Sequence, residues 1–582
     1  MSTLPPVQDA LKAVVDDAVA ALTGEPADGV VNKTKAGRGA SDFQSPAAMQ
    51  LARVLRRKPR DIADDLVAKI VEGGSDLIDP PEVAGPGFVG LRLSDAALAR
   101  YLADVVADPR HGVVQADGST VVIDFSSPNV AKRMHIGHIR STVIGDALRR
   151  IGTFLGFDVV GDNHIGDWGT QFGQLIHAWR NWRDDDAYDQ DPVGELERMY
   201  VQFHARAKED ESLHDAARAE LAKLQAGDPE NVALWERMRS DSQHAFDSVY
   251  DRLGVEFSVT YGESHYRDAL VPLVDRLLDR GIAEPSDGAV CVFFRDEEGE
   301  NTMTPFLIRK SDGAALYATT DIATVEYRMK EWAPSRMIYV TAHPQTLHFK
   351  QLFETARKMG VEVEFSHVGF GLMKLPTGSF STRQGNVIRL DELLDEAVGR
   401  ARSTMEGRTG PGGVPFTADE LDVLANSIGL GAVKYADLSN NPQSDIVFSF
   451  DRMLSLEGNT APSLMYTAAR TASLARKAKN EAGLEADGRT LRLVDEAERD
   501  LFLHVLGFGK AVWAAWSQGK PSLVATYLYE LAAKYHRFYQ ACPVLKADDE
   551  TLVMSRLNVS AVVRAVLAQG LDLLGIDAPE KM

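Results

Sequence analysis

Two histidines three residues apart, His135 and His138, flank Gly137 in the run SSPNVAKRMHIGHIRSTVIGDAL that begins at Ser126. Residues at i and i+3 share one side of a helix. In a first turn they stand beside backbone N–H groups that lack intrahelical partners and attract phosphate. Gly137 leaves out a side chain between the two rings, so that a purine or phosphate can approach the backbone. Lys132, just upstream, can reach a phosphate as a flexible point charge, although outside this setting it would read as a solvated lysine. Ser127 and Asn129 can orient a small polar substrate by hydrogen bonds. Nucleotide binding by an ATP-dependent enzyme is the chemistry this set suggests.

Carboxylates form a second group. Asp124 lies in the apolar run VVIDF at 121–125, near the end of an expected central strand. An acid there needs a cation or donors. In YATTD, 317–321, Tyr317 and Asp321 are four residues apart and share a face if a helix has begun, whereas Asp321 could otherwise cap it. Asp124, Tyr317 and Asp321 could surround one cation, and the planar fork of an arginine satisfies two carboxylates better than a lysine does. Gln345 follows the strand-like RMIYVTA, and nearby His348 reads as packing or support. The glycine-rich NHIGDWGTQFG, 163–173, suits a shaped loop beneath a ligand. SFSTRQGNVIRL, 379–390, carries Ser381 and Arg383, and is either an ordinary surface loop or one that closes over phosphates. Neither a P-loop signature nor a zinc constellation is visible, and no metal-ligand set is expected.

These residues need positioning elements. The expected fold is multidomain α/β: a Rossmann-like nucleotide-binding domain with an inserted subdomain, preceded by a small α+β domain and followed by a helical bundle. The amino-terminal domain is placed at 1–112, with helices over 7–23 and 46–59 and a short one through Tyr101. The α/β domain follows at 113–410: strand 121–125, a helix from about His135 to Arg150, strand 157–163, a helix near 171–178, a helix after Asp321, strand 336–342, helix 346–359 and strand 363–370. An acidic, predominantly helical stretch of about 180–300 is the insertion. After the glycine-rich EGRTGPGG break, residues 411–582 read as helices near 417–436, 451–478, 492–515, 522–540 and 551–574.

The chain of 582 residues carries a formal charge of -21, which argues against a generic nucleic-acid coat but leaves room for a basic stripe on one face. Arg53, Arg56, Arg57 and Lys58 form one local cluster, either an RNA contact or a solvated helix face. Two distant cysteines, Cys291 and Cys542, make neither a disulfide framework nor a metal site and fit a reducing compartment. The amino end lacks a secretory pattern, and no uncharged apolar segment approaches the roughly 20 residues of a membrane span.

Taken together, HIGH at 135–138, SSPNVAK, NHIGDWGTQFG, YATTDIA, DLSNNPQSDIVFSFDRMLSLEGNTAP at 437–462 and the ending LDLLGIDAPEKM resemble the arginyl-tRNA synthetases, a class I family, over almost the whole chain. The resemblance implies that His135, Gly137 and His138 bind ATP and that the histidines stabilise the activation transition state. It implies guanidinium recognition by Asp124, Tyr317 and Asp321, and an α-amino and α-carboxylate grip by Ser127, Asn129 and Gln345. The amino-terminal domain would touch the outer corner of tRNA, with Arg56 and Arg57 as candidates. The carboxyl domain would read the anticodon, with Arg470, Arg476, Lys534, Arg537 and Arg556 as candidates.

One departure matters: the family's KMSKS signature reads SFSTR here, with Ser379 at the first lysine. Ser381 and Arg383 remain ATP-loop candidates, and the resemblance offers Lys132 as the compensating lysine, with Lys374 as the alternative. The implied reaction uses L-arginine, ATP with Mg²⁺ and tRNA(Arg), proceeds through arginyl-adenylate to the terminal 2′-hydroxyl, and requires bound tRNA for activation. A cytoplasmic monomer without membrane attachment is expected. A synthetase of another amino-acid specificity and a catalytically silent RNA-binding regulator are the competing readings.

Overall fold

The computed structural model describes residues 4–26, 29–34, 41–375, 378–379, 388–410, 413–547 and 549–582. At its centre, the apolar runs read from the sequence form a parallel sheet of four strands, Thr120–Asp124, Asp158–Asp162, Arg336–Ala342 and Glu364–Phe370. Thr120–Asp124 lies between Asp158–Asp162 and Arg336–Ala342, with Glu364–Phe370 at the far edge. The chain therefore leaves the first strand on one side and returns on the other. Beyond the strands' carboxyl ends, this reversal opens a crevice. In register, Asp124 pairs with Asp162 on one side and Tyr339 on the other.

Helices cover the sheet. Ile136–Leu155 buries Ile139, Val143, Ile144, Ala147, Leu148 and Ile151 and connects the first two strands. Tyr317–Trp332 and Thr346–Lys358 flank the third strand in sequence. Because the former helix already begins at Tyr317, Asp321 stands one turn inside it and does not cap it.

The insertion is helical from Asp185–Gln190 to Pro229–Leu253, as its apolar spacing predicts. After a further helix, Arg267–Asp279, comes a three-stranded antiparallel sheet, Ala283–Ser286, Ala289–Val292 and Phe306–Arg309, whose first two strands fall in the stretch read as predominantly helical. These strands are four residues long, too short to impose a period of their own.

The amino-terminal unit is α+β. Four antiparallel strands pack with helices Val7–Thr23, Ala47–Leu55 and Pro59–Gly73. The expected helix over 46–59 ends at Leu55, and Pro59 opens the next one at its first turn, where a missing N–H is harmless. The carboxyl-terminal bundle holds Ala461–Ala482, Glu496–Val505, Phe508–Gln518, Ser522–Ala541 and Glu550–Leu573 around buried Phe502, Tyr535 and Phe538. Two expected helices are shorter than read. One starts only at Ala461, capped by Thr460, and the 492–515 segment breaks at Leu506 and Gly507. Glu550–Leu573 is long and apolar enough to cross a membrane by composition, but two thirds of its most apolar stretch (67%) is buried in the bundle. Arg499 fastens the bundle to the first domain: it donates to Asp42 at 2.7 Å, to Asp95 at 3.0 Å and to the Leu93 carbonyl at 2.6 Å.

Candidate active site

The turn after the first strand is strained. Ser126, Ser127 and Ala131 all take left-handed backbone angles, with φ of 72°, 51° and 65°. Such non-glycine conformations cost on the order of 1–3 kcal/mol each and persist only where neighbours over-determine them. Here the Ser126 N–H donates to Ser141 Oγ at 2.9 Å, and its hydroxyl lies 2.8 Å from both Thr142 Oγ1 and the Tyr250 hydroxyl. The Ser127 N–H donates to Asn163 Oδ1 at 3.1 Å, so the glycine-rich 163–173 loop does support this turn. Asn129 is exposed at the rim.

His135 caps the helix that follows. Its Nδ1 accepts the Gly137 N–H at 3.0 Å, and the His135 N–H in turn donates to Nδ1 of His138 at 3.1 Å. The rings stand 4.0 Å apart. Gly137 serves the rings themselves, because a Cβ there would come within 2.7 Å of the His135 ring. Burial, with Lys132 nearby, lowers the pKa of His135; burial and the neighbouring His135 push that of His138 down to about 3. Both rings are therefore neutral near pH 7. With Nδ1 accepting in each, the proton resides on Nε2, and each ring retains an Nε2–H donor.

Asp124 departs from its expected role. One carboxylate oxygen accepts Arg328 Nη2 at 2.6 Å and the other the Ser127 hydroxyl at 3.1 Å. The fully buried Arg328 also donates to Asp162 at 2.7 Å. Burial opposes its charge, but Asp162 and Asp124 outweigh this and hold its pKa well above the ordinary value. The cation that Asp124 faces is thus the protein's own.

Tyr317 and Asp321 do share a face, and Tyr317 is 63% exposed. Asp321 accepts His348 Nε2 at 2.5 Å, the supporting role read for that histidine. The third acid near them is Glu263, which sequence reasoning missed. Its N–H donates to the Ile165 carbonyl at 3.1 Å, and Gly262 lies so close to Asp167 that a Cβ would come within 2.1 Å of the carboxylate. Burial, then Asp321 and Asp167, push the Glu263 pKa up to about 8. Among the described residues, no cation lies within ion-pair distance of its carboxyl. Gln345 is exposed at the start of helix Thr346–Lys358, the helix that carries His348.

Ser381 and Arg383 lie outside the described residues, but both stems of their loop are placed. The Ile136 N–H donates to the Ile388 carbonyl at 3.2 Å and the Leu390 N–H to the Met134 carbonyl at 3.0 Å, setting one stem beside the histidines. On the other stem, Lys374 pairs with Asp445 at 2.7 Å. Lys132, by contrast, has no acid within ion-pair distance among the described residues; its ammonium lies 4.6 Å from the centre of the Tyr200 ring. Buried Arg140, two residues after His138, donates to both Asp437 oxygens and to the carbonyls of Gly371, Pro442 and Ser444.

The RNA candidates divide. Arg56 and Arg57 are exposed, with Arg57 paired to Asp65 at 2.7 Å. Arg470 stacks over Tyr539 at 4.2 Å, one turn from exposed Tyr466, and Arg537 is largely exposed. Arg476 donates to the Glu580 carbonyl at 3.2 Å. Lys534 is mostly buried against Asp500. Arg556 must be withdrawn: it is 7% exposed, and its guanidinium is engaged by Glu498 and by the Pro543 carbonyl at 2.8 Å.

Residues 102–450 match the family of class I tRNA synthetase (R) catalytic domains, residues 7–93 the arginyl-tRNA synthetase amino-terminal domain, and residues 464–582 the DALR anticodon-binding domain. An arginine–tRNA ligase of Fusobacterium nucleatum is 44% identical over 542 residues, covering 93% of each chain; one of Frankia casuarinae is 41% identical, covering 100% of this chain and 99% of its own. The fold superimposes on arginyl-tRNA synthetase structures from Plasmodium falciparum (TM-score 0.83, all of both chains) and Thermus thermophilus (TM-score 0.82, 99% of this chain and 100% of that one), each 25% identical. By these matches, and with the HIGH histidines held neutral at the start of the helix after the first sheet strand, this chain belongs to the arginyl-tRNA synthetase family, the class I enzymes that activate arginine with ATP and transfer it to tRNA(Arg).

Proposed function

We propose that the crevice divides the activation of arginine among three groups of residues. Tyr317, Asp321 and Glu263 hold the guanidinium; Ser127, Asn129 and Gln345 hold the α-amino and α-carboxylate end; His135 and His138, with Lys132, face the phosphates. Asp124 supports the first group through Arg328. The observation that carries this assignment is Glu263: a carboxyl pushed up to about pH 8 beside two further acids is a pocket awaiting a cation. An uncharged analogue would leave Glu263 without a charged partner, at a loss of about 1–3 kcal/mol.

With the guanidinium held there, an α-carboxylate oxygen attacks the α-phosphorus of ATP and the bond to the bridging oxygen of pyrophosphate breaks. The two Nε2–H donors and the Lys132 ammonium stabilise charge on the phosphates as it develops, without reorganising. Positioning supplies the rest. Mg²⁺ enters with ATP as substrate; among the described residues no cluster of three His, Cys, Asp or Glu side chains would hold a resident ion. The terminal 2′-hydroxyl of tRNA then attacks the activated carbonyl and AMP leaves. Arg383 and Ser381, outside the described residues, would add to the phosphate contacts in this reading.

On the RNA side, Arg56 and Arg57 touch the outer corner of tRNA, and the Arg470–Tyr539–Tyr466 patch, stacking and cationic at once, meets the anticodon loop. The enzyme acts as a monomer in the cytoplasm, where its two buried cysteines would stay reduced. Charging of purified tRNA(Arg) with labelled arginine tests the whole reading: ATP-dependent arginyl-tRNA is expected, and its absence with cognate tRNA would overturn it.

A further inference from the structure

Three consecutive residues upstream of His135 are each gripped by the insertion. The Ala131 N–H donates to buried Ser242 Oγ at 3.0 Å, on helix Pro229–Leu253. Arg133 forms an ion pair with Asp191, which also caps helix Pro192–Ala207 by accepting the Gly194 N–H at 3.1 Å. Between them, Lys132 rests over the ring of Tyr200 from that same helix. The ring is steadied in turn by His204, one turn further on, at 4.5 Å and an interplanar angle of 71°.

We propose that Tyr200 is a positioning residue for nucleotide activation, a ring contributed by the insertion that holds the Lys132 ammonium toward the ATP phosphates without neutralising it. This rests on the proposed role of Lys132 beside His135 and His138. A lysine side chain is long and flexible, so a charge left unheld spends little of its time where the phosphates need it. An acid would hold it but cancel its charge, as Asp445 does for Lys374. An aromatic face attracts the ammonium through its quadrupole and leaves the full charge available. The surroundings suit such a role. Burial, then His214 and Lys132, lower the pKa of His204, which therefore adds no competing charge. On this reading the insertion completes the ATP site of a chain whose SFSTR loop lacks the first signature lysine.

The test uses the full-length enzyme with tRNA(Arg), following ATP–pyrophosphate exchange and, separately, binding of a non-hydrolysable ATP analogue. Tyr200→Leu is expected to lower kcat/KM for ATP, and analogue affinity, by about 3- to 30-fold, the range of a partly desolvated cation–π contact. KM for arginine and the unfolding midpoint should stay where they are. Tyr200→Phe should remain within about twofold of wild type, since the ring and not the hydroxyl faces the cation. In a Lys132→Met background, Tyr200→Leu should add nothing. Tyr200→Met is the substitute if the leucine variant does not fold. ATP parameters unchanged in Tyr200→Leu, a phenylalanine variant as damaged as the leucine one, or an effect that adds fully to Lys132→Met would each overturn the proposal. Wild-type charging is read first: its absence refutes the arginine reading, whereas the analogue titrations report on Tyr200 independently of arginine.

Discussion

Two acid clusters meet helix Tyr317–Trp332, one at Arg328 and one at Asp321, and differ in one respect. Around Arg328, Asp124 and Asp162 have their cation built in, 2.6 and 2.7 Å from one guanidinium nitrogen. Around Glu263, Asp321 and Asp167, the acids outnumber the nearby charged donors, and Glu263 holds its proton up to about pH 8. The first cluster is architecture: it ties two strands to helix Tyr317–Trp332. The second, on the reading proposed above, is recognition: Asp167 is already paired with Arg239 at 3.0 Å, but Glu263 has no cation within ion-pair distance among the described residues. A fold can use the same guanidinium–carboxylate geometry for both purposes, and the acid left without a protein cation, Glu263, is what sets the second cluster apart.

The sharpest way to break this contrast is to remove the built-in cation. Arg328→Met leaves two buried carboxylates unpaired and is expected to lower unfolding free energy by about 3–5 kcal/mol in a denaturant titration. A midpoint near wild type would mean that the first cluster is not structural. In the second cluster the expected pattern is reversed. Asp321→Asn should reduce kcat/KM for arginine by about 10- to 100-fold, the worth of a charged hydrogen bond, while the unfolding midpoint holds or rises.

Acidity sharpens the contrast further. Below about pH 8 free Glu263 carries a proton that the guanidinium must expel, so arginine binding should release a proton and tighten as pH rises from about 6.5 to 8, by at most about tenfold per unit. Above that it should level off. Titrating arginine in buffers of different ionisation enthalpy reads the proton directly, and Glu263→Gln should flatten the profile. The smallest effect is expected at His348→Leu, which removes one donor from Asp321 and should raise KM for arginine about two- to tenfold, measured in the same charging assay.

Much of the architecture is legible in the sequence. The strands of the sheet lie within a residue or two of where their apolar runs place them, because buried parallel strands announce themselves as continuous hydrophobic stretches. The histidine pair and the Tyr317–Asp321 face follow from spacing along one helix. Arg328 and Glu263 do not, for a shared reason: each acquires its role only through partners more than 50 positions away, 204 for Arg328 with Asp124 and 58 for Glu263 with Asp321, and no local period records such a meeting. The withdrawal of Arg556 shows the converse error. A basic residue on a helix is usually solvated, and only the position of Glu498 across the bundle shows that this one is not.

Arg140 has a consequence for anyone who would dissect this enzyme into parts. Its donors run from the helix of the two histidines to Asp437, Pro442 and Ser444, on the far side of the glycine-rich stretch where the sequence invites a cut. A fragment ending at residue 410 would carry that guanidinium into its interior with only the Gly371 carbonyl left to receive it. Expressed alone, it should be insoluble or loosely folded, whereas a fragment carried past Ser444 keeps every acceptor. The covalent seam and the chemical seam of the molecule are some thirty residues apart.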